Sequence, residues 1–223
     1  HESQRQVTYY DYTPQQIRSD CEDSLRRLNT DVIDLFQLHV KEVETEPAII
    51  VRDTLEELVA EGKIRFYGWS TDNPEKIRIF ADGEHCAAVQ QQFNIFEGNE
   101  EILELCEEQN LASINRSPLG MGLLTGKFTR ETEISKDDVR IRRPALQEER
   151  VERLEKLEKI KEILTLDGRT LAQGALGWLW AHSNITIPIP GFKTIKQVEE
   201  NIGATKFGAL SGNQMDPIAS LLS

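Results

Sequence analysis

An apolar strand that runs into a glycine and opens a helix beside a lysine is suited to hold a phosphate. Residues 184–201 read Asn-Ile-Thr-Ile-Pro-Ile-Pro-Gly-Phe-Lys-Thr-Ile-Lys-Gln-Val-Glu-Glu-Asn. Ile and Pro alternate up to Gly191, and Lys193 and Thr194 follow. The next helix then carries Gln197, Glu200 and Asn201 on one face. A helix N-terminus offers N–H groups without intrahelical partners and a partial positive charge. Lys193 adds a full charge. The pattern points to a phosphorylated cofactor.

Other residues able to do chemistry fall where strands are expected to end. His39 closes an apolar run, and Ser70-Thr71 closes a second. Gln90 closes a third, and Arg116-Ser117-Pro118-Leu119-Gly120 a fourth. Each has an ordinary structural use. A histidine can end a strand, a Ser-Thr pair can cap a helix, and a glutamine can satisfy buried backbone. In a parallel βα architecture, however, functional residues gather at the C-terminal ends of strands. Polar residues or tight turns at all five ends predict a ligand site on one rim.

The elements that must position these residues alternate. Thr13-Pro14-Gln15-Gln16 reads as a helix start with a capping box, followed by the stripe Ile17, Cys21, Leu25 and Leu28. Strands are expected over about 32–39, 64–70, 87–91, 111–115 and 185–189. Helices are expected over about 49–61, ending at Gly62, from Asn73-Pro74 onward, and over 98–109, 149–165, 171–182 and 194–203. The charged stretch 128–148 reads as a surface loop. Repeated βα units imply a parallel sheet with helices outside it.

Composition bounds the function. The chain has 223 residues, 39% hydrophobic and 29% charged, which suits a soluble globular protein. Its formal net charge of −12 argues against a nucleic-acid partner. No apolar run approaches the roughly 20 residues that span a bilayer, and no leader pattern opens the chain. The expectation is therefore a cytoplasmic protein without a membrane partner. Cys21, Cys86 and Cys106 are odd in number and far apart, which fits a reduced chain with core cysteines. The four histidines share no metal-ligand spacing, so no metal is expected.

The sequence resembles the aldo-keto reductases. The likeness is carried by Ser24 to Leu28, by Asp31 to His39, by Leu55 to Val59 with Gly62 to Arg65, and by Gly68-Trp69-Ser70-Thr71. Ser117 to Lys127 and residues 189–201 extend it, so it runs through nearly the whole chain. The resemblance implies an α/β fold, a (β/α)8 TIM barrel. It also implies an NADP(H)-dependent enzyme that reduces aldehydes or ketones, with a small-molecule carbonyl substrate. His39 matches the histidine that hydrogen-bonds the carbonyl oxygen. Ser70, Thr71 and Gln90 match the residues around the nicotinamide carboxamide, with Thr71 where many members have asparagine. Arg116 falls where other members place an aromatic that stacks on the nicotinamide, a position a planar guanidinium also suits. Ser117, Pro118, Leu119, Gly120 and Leu123 match the pyrophosphate path. Gly191, Phe192, Lys193, Thr194, Gln197, Glu200 and Asn201 match the adenosine-phosphate site, where a lysine favours NADP over NAD.

The family's catalytic group is Asp, Tyr, Lys and His, and only the histidine is matched. Tyr9, Tyr10 and Tyr12 do not sit in the matching motif. The match begins after the family's third strand. The expectation is a single barrel domain over 1–223 that supplies about five of eight βα units, truncated at its N-terminal strands. The alternative is a non-catalytic NADP(H)-binding regulatory relative without the tyrosine acid. An open barrel would bare strand edges, so association into an oligomer is possible.

Overall fold

A computed structural model describes residues 11–40, 43–132 and 149–222. The described chain divides into two compact units, residues 1–90 with 104–111, and residues 91–103 with 112–223. Tyr9, Tyr10 and most of the expected 128–148 loop lie outside the described residues.

The first unit opens with α1 (Pro14–Leu28), which begins where the sequence places it. Thr13 caps it, accepting from the Gln16 N–H at 3.3 Å. The expected capping box is only half formed. Gln16 reaches forward to Asp20 instead, and the Thr13 N–H donates to Asp11. Strand β1 (Ile33–Leu38) follows, then α2 (Thr45–Ala60). Helix α2 starts four residues earlier than expected because Pro47 falls in its first turn, where its missing N–H costs nothing. Gly62 takes a left-handed φ of 73°, and the Gly62 and Lys63 N–H groups return to the Val59 and Leu58 carbonyls. Strand β2 (Ile64–Ser70), α3 (Pro74–Ala81) and β3 (Cys86–Gln92) complete the pattern.

Strands β1, β2 and β3 lie side by side, parallel, in chain order. Leu38 pairs with Trp69, and Ser70 pairs with Gln90, so the strand ends stand nearly level. The register slips by one residue of β3 between Tyr67 and Gly68. Tyr67 and Trp69 turn to the helix side, where both rings pack on Phe80. The core there comprises Cys21, Ala48, Val51, Leu55, Leu58 and Ile64, among others. Burial pushes the thiol of Cys21 up and that of Cys86 up to about 12, as it does that of Cys106. These cysteines are therefore poor nucleophiles.

Beneath β2 and β3, Glu56 of α2 gathers three donors. The Tyr67 hydroxyl donates to its Oε1 at 2.7 Å, and the His85 N–H does so at 3.0 Å. The His85 ring Nδ1 lies 2.6 Å from Oε2. Burial pushes the Glu56 carboxyl up, but these hydrogen bonds outweigh it and hold the group below its ordinary value.

The second unit takes the end of β3, then α4 (Glu100–Glu108), which runs into the first unit, and β4 (Ala112–Arg116). Left-handed and 3₁₀ turns occupy Gly120–Thr125. Helices α5 (Arg150–Leu164) and α6 (Leu171–His182), strand β5 (Thr186–Pro188), and helices α7 (Ile195–Gly203) and α8 (Gly212–Leu222) complete it. Strand β5 pairs parallel with β4, from Ser113–Thr186 to Asn115–Pro188. The core collects Phe93, Leu124, Leu157, Ile160, Leu176 and Leu179 with neighbours. Leu154, Leu157, Ile160 and Leu164 of α5 are buried, whereas Val151 is exposed and Arg153 takes a buried place. No sequence signal marked α8, whose Pro217 is an unusual helix-interior residue. No described helix is long and apolar enough to cross a membrane.

Two stability tests follow from this packing. A Cβ on Gly68 would overlap the Ala88 carbonyl oxygen, which is backbone and has nowhere to go. Gly68→Ala should cost about 2 kcal/mol or more in urea unfolding, as overpacking does; an unchanged midpoint would refute the close approach. Glu56→Gln should cost about 1–3 kcal/mol at pH 7. Because the folded-state value of Glu56 lies below its ordinary 4.5, its contribution is present above that pH and lost as pH falls through the lowered value. The gap between wild type and Glu56→Gln should therefore narrow in acid, and a gap constant from pH 7 to pH 3 would contradict the assignment.

Candidate functional site

In the first unit, parallel pairing places the expected residues on one face. Side chains alternate along a strand, so Gln37 and His39 share a face of β1 and its extension, as Gly68 and Ser70 do on β2. The Gln90 side-chain amide donates to Gln37 Oε1 at 2.8 Å, reaching across β2 at Gly68. The Gln90 amide oxygen takes no part in this bond. Gln37 Nε2 is buried and has no protein partner. A buried unpaired donor costs about 1–3 kcal/mol, and such groups mark places where something else binds. Ser70 and Thr71 are both buried. His39 is exposed and lines a cleft of about 520 Å³ with Tyr12, Phe36 and Gln37. The Trp69 indole N–H fixes the chain beyond His39 by donating to the Val40 carbonyl at 2.9 Å.

In the second unit, Arg116 ends β4 and is half-buried. Its Nη1 donates to Gln92 Oε1 at 2.7 Å. Asn94 pins the next residue by donating to the Ser117 carbonyl at 3.1 Å. The Asn94–Glu97 turn is closed by reciprocal backbone bonds of 2.7 and 3.1 Å. Arg153 reaches it from α5, with Nη2 2.8 Å from Glu97 Oε1, and also pairs with Glu149. Burial pushes the Glu97 carboxyl up, but Arg153's hydrogen bond and charge, with side-chain bonds from Gln92 and Asn94, hold it below its ordinary value. One polar chain thus runs from Arg153 through Glu97 and Gln92 to Arg116. On the opposite face of the strands, buried Gln91 and Asn115 both donate to the Ser113 hydroxyl at 2.9 Å.

The turn after β4 is strained. Ser117 and Met121 both hold φ of 54°, as Gly120 does at 53°. Non-glycine residues rarely adopt this region, and they persist where function or surrounding structure demands it. Pro118 is buried, and the side chains of Leu119 and Leu123 are in the core. Their contribution to a pyrophosphate would therefore be backbone.

After β5, the Ile189 N–H bonds the Asn115 carbonyl, and Gly191, Phe192, Lys193 and Thr194 are exposed. A Cβ on Gly191 would meet open space. Thr194 is the N-cap of α7, and its capping box is complete. Gln197 Oε1 accepts from the Lys193 N–H at 2.6 Å and the Thr194 N–H at 3.2 Å. The helix start is therefore partly self-satisfied, which the sequence reading did not foresee. The first-turn N–H groups of Ile195 and Lys196 have no intrahelical partner, and the exposed Lys193 precedes them in the chain. The Glu200 carbonyl accepts from Gln173, and Asn201 is partly buried in the same helix.

Sequence reasoning found the ends of the strands and missed what supports them. Gln37, Gln92, Asn94, Glu97 and Arg153 went unremarked. A signal existed: Gln90-Gln91-Gln92 is a polar run inside a strand whose neighbours are apolar. Such a run needs partners on both faces, and each of the three side chains makes at least one side-chain hydrogen bond. Among the described residues, no group of three or more acidic, His or Cys side chains could hold a metal.

Comparison with known proteins adds a family. Residues 6–223 match the model of the aldo/keto reductase family. The aldo-keto reductase yakc [NADP(+)] of Schizosaccharomyces pombe is 35% identical over 199 residues, covering 86% of this chain and 58% of that protein. The aldo-keto reductase str7 of Strobilurus tenacellus is 33% identical over 211 residues, covering 89% of this chain and 62% of the relative. The chain thus spans about three fifths of the length of these curated relatives. The solved glycerol dehydrogenase of Gluconobacter oxydans superposes with a TM-score of 0.88 at 29% identity, covering all of this chain and 68% of that one. With parallel strands and intervening helices in both units, this likeness makes the fold α/β of the TIM-barrel type. The chain belongs to the aldo/keto reductase family.

Proposed function

We propose that the protein is an NADP(H)-dependent oxidoreductase that reduces aldehyde or ketone carbonyls to alcohols. The observation that carries this reading is the family match over residues 6–223, because it takes in His39, Ser70, Gln90 and the Gly191–Asn201 segment together. The residues present suit the cofactor. Gln37 Nε2 is an unpartnered donor beside Gln90, where a carboxamide would find both donors and acceptors. Lys193 stands exposed at a helix start, where a 2′-phosphate would find a cation and two free N–H groups.

In this reading, Ser70, Thr71 and Gln90 hold the nicotinamide carboxamide, and Arg116 offers its guanidinium plane to the ring. Ser117 to Gly120 and Leu123 present backbone to the pyrophosphate. Gly191 to Thr194, with Gln197, Glu200 and Asn201, hold the adenosine end. Bound NADPH would supply the hydride. His39 hydrogen-bonds the substrate carbonyl oxygen and fixes its orientation, which counts because reacting atoms must approach within about 3–3.5 Å. Reduction also needs a proton at that oxygen, and none of the residues assigned here is given that role.

Lys193→Met tests the cofactor assignment. It should raise the dissociation constant of NADPH by about tenfold or more, as loss of a charge-assisted phosphate contact does. NADH, which lacks the 2′-phosphate, should shift by less than about twofold. Equal loss for both nucleotides would refute the role of Lys193. Absence of NADPH oxidation with every simple aldehyde and ketone offered to the wild type would remove the enzymatic reading.

A further inference from the structure

We propose that Gln37 is a positioning residue for Gln90. It engages the nitrogen end of the Gln90 amide, leaves the oxygen end for the cofactor, and so makes the site select a nicotinamide substituent that carries N–H groups. The inference rests on the reading above that Gln90 holds the nicotinamide carboxamide. It adds which end of Gln90 does so and what that end selects.

The chemistry lies in the two ends of an amide. Nε2 donates, and Oε1 only accepts. The last torsion of a glutamine is soft and roughly two-fold, so a free glutamine can turn either end to a ligand. Unanchored, Gln90 would serve a carboxamide NH2 with its oxygen or a ketone oxygen with its nitrogen. Anchored by its nitrogen, it loses that choice. Gln90 Nε2 donates to Gln37 Oε1 at 2.8 Å, and Gln90 Oε1 lies at the other end of the same planar group. That oxygen takes a hydrogen from a carboxamide NH2 and cannot supply one to a ketone. A site built to hydrogen-bond an N–H rejects the analogue that lacks it, because its own polar group is then left unpaired.

The sheet holds Gln37 where this contact forms. Gln37 is level with Gly68, and Gly68 with Ala88, so Gln90 stands two residues further along β3. The Gln90 side chain therefore leans back across β2 to reach Gln37. A Cβ on Gly68 would stand 2.2 Å from the Ala88 oxygen and 3.4 Å from Gln37 Nε2, so the crossing needs a residue without a side chain. Gln37 and Gln90 are half-buried, and both belong to the first unit. Ser70, paired in register with Gln90, is buried at the same level. Fixing the amide before a ligand arrives removes part of the side-chain entropy lost on binding.

The test is calorimetric titration of the full-length protein with NADP+ and with its acetylpyridine analogue, in which a methyl group replaces the carboxamide NH2. The quantity read is the ratio of the analogue's dissociation constant to that of NADP+. Both ligands have the same phosphates and adenosine, so a change that merely weakens the fold acts on both and cancels. In the wild type the ratio should be about fivefold or more, as an unpaired acceptor demands. Gln37→Leu, which frees the Gln90 amide to turn, should lower that ratio about threefold or more. Gln37→Glu, which keeps an acceptor for Gln90 Nε2, should hold it within about twofold of the wild type. If Gln37→Leu proves unfolded by circular dichroism, Gln37→Ala is read in its place. A wild-type ratio short of the expected one, or a ratio unchanged in the folded truncation, overturns the proposal while leaving the cofactor assignment standing. Failure of the wild type to bind either nucleotide overturns that assignment instead.

Discussion

Two side-chain amides can join β1 to β3 only if nothing stands on β2 between them. Gly68 supplies that gap, and the rest of the first unit's site is arranged around it. The Gln90–Gln37 bond crosses at this position, and the Ala88 carbonyl comes so close that a methyl group would not fit. The one-residue slip between β2 and β3 occurs at the same step. A bulge re-aims the side chains that follow it, and here those are Ser70 and Gln90, paired in register at the strand ends. The opposite face of β2 bears the compensation. Tyr67 and Trp69 pack on Phe80, and each sends its polar tip to a partner, Glu56 for one and the Val40 carbonyl for the other. The second of those bonds also holds the chain just past His39. Core packing and site geometry are thus two faces of one strand.

The second unit solves a similar problem with charge. Arg116 ends β4 and must be fixed from the side, because nothing follows it in the strand. Gln92 does this from the neighbouring chain segment, and Glu97 and Arg153 back it up. A half-satisfied buried network costs more than an apolar one, and Arg153 Nη1 has no protein partner even here. Retaining a buried arginine with an orphaned donor makes little sense for stability alone. It makes sense if the chain is there to fix a group that meets a ligand.

The strands and helices were legible because periodicity and caps reported them. Strands β1 to β5 lie within about two residues of their expected limits, and α6 matches at both ends. Thr170 and Thr194 announced their helices with complete capping boxes. Gln16 shows the limit of that signal: Asp20, one turn on, competed for its amide and won. The helix expected over about 49–61 starts at Thr45, because the first turn tolerates Pro47. The candidate ligand residues were legible as polar residues at strand ends. Their supports were not, because Gln92–Arg116 and Arg153–Glu97 join positions 24 and 56 residues apart. No local pattern encodes such a pairing, and only the register of the sheet creates it.

The end proposed to hold a phosphate, around Lys193, carries the sharpest constraint. A helix start usually offers several N–H groups to an anion, but α7 consumes part of that offer itself. Gln197 turns back to the Lys193 and Thr194 N–H groups, and the Thr194 hydroxyl satisfies Gln197. The capping box makes the helix rigid before any ligand arrives, so little ordering cost is left for binding. The same box shifts the burden of recognition from the backbone to side chains. Backbone N–H groups recognise any phosphate, whereas a lysine placed beside a self-capped helix adds selectively to the ligand whose extra phosphate reaches it. In the proposed assignment, discrimination between nucleotides that differ by one phosphate would therefore fall on Lys193, and the capping box would sharpen it.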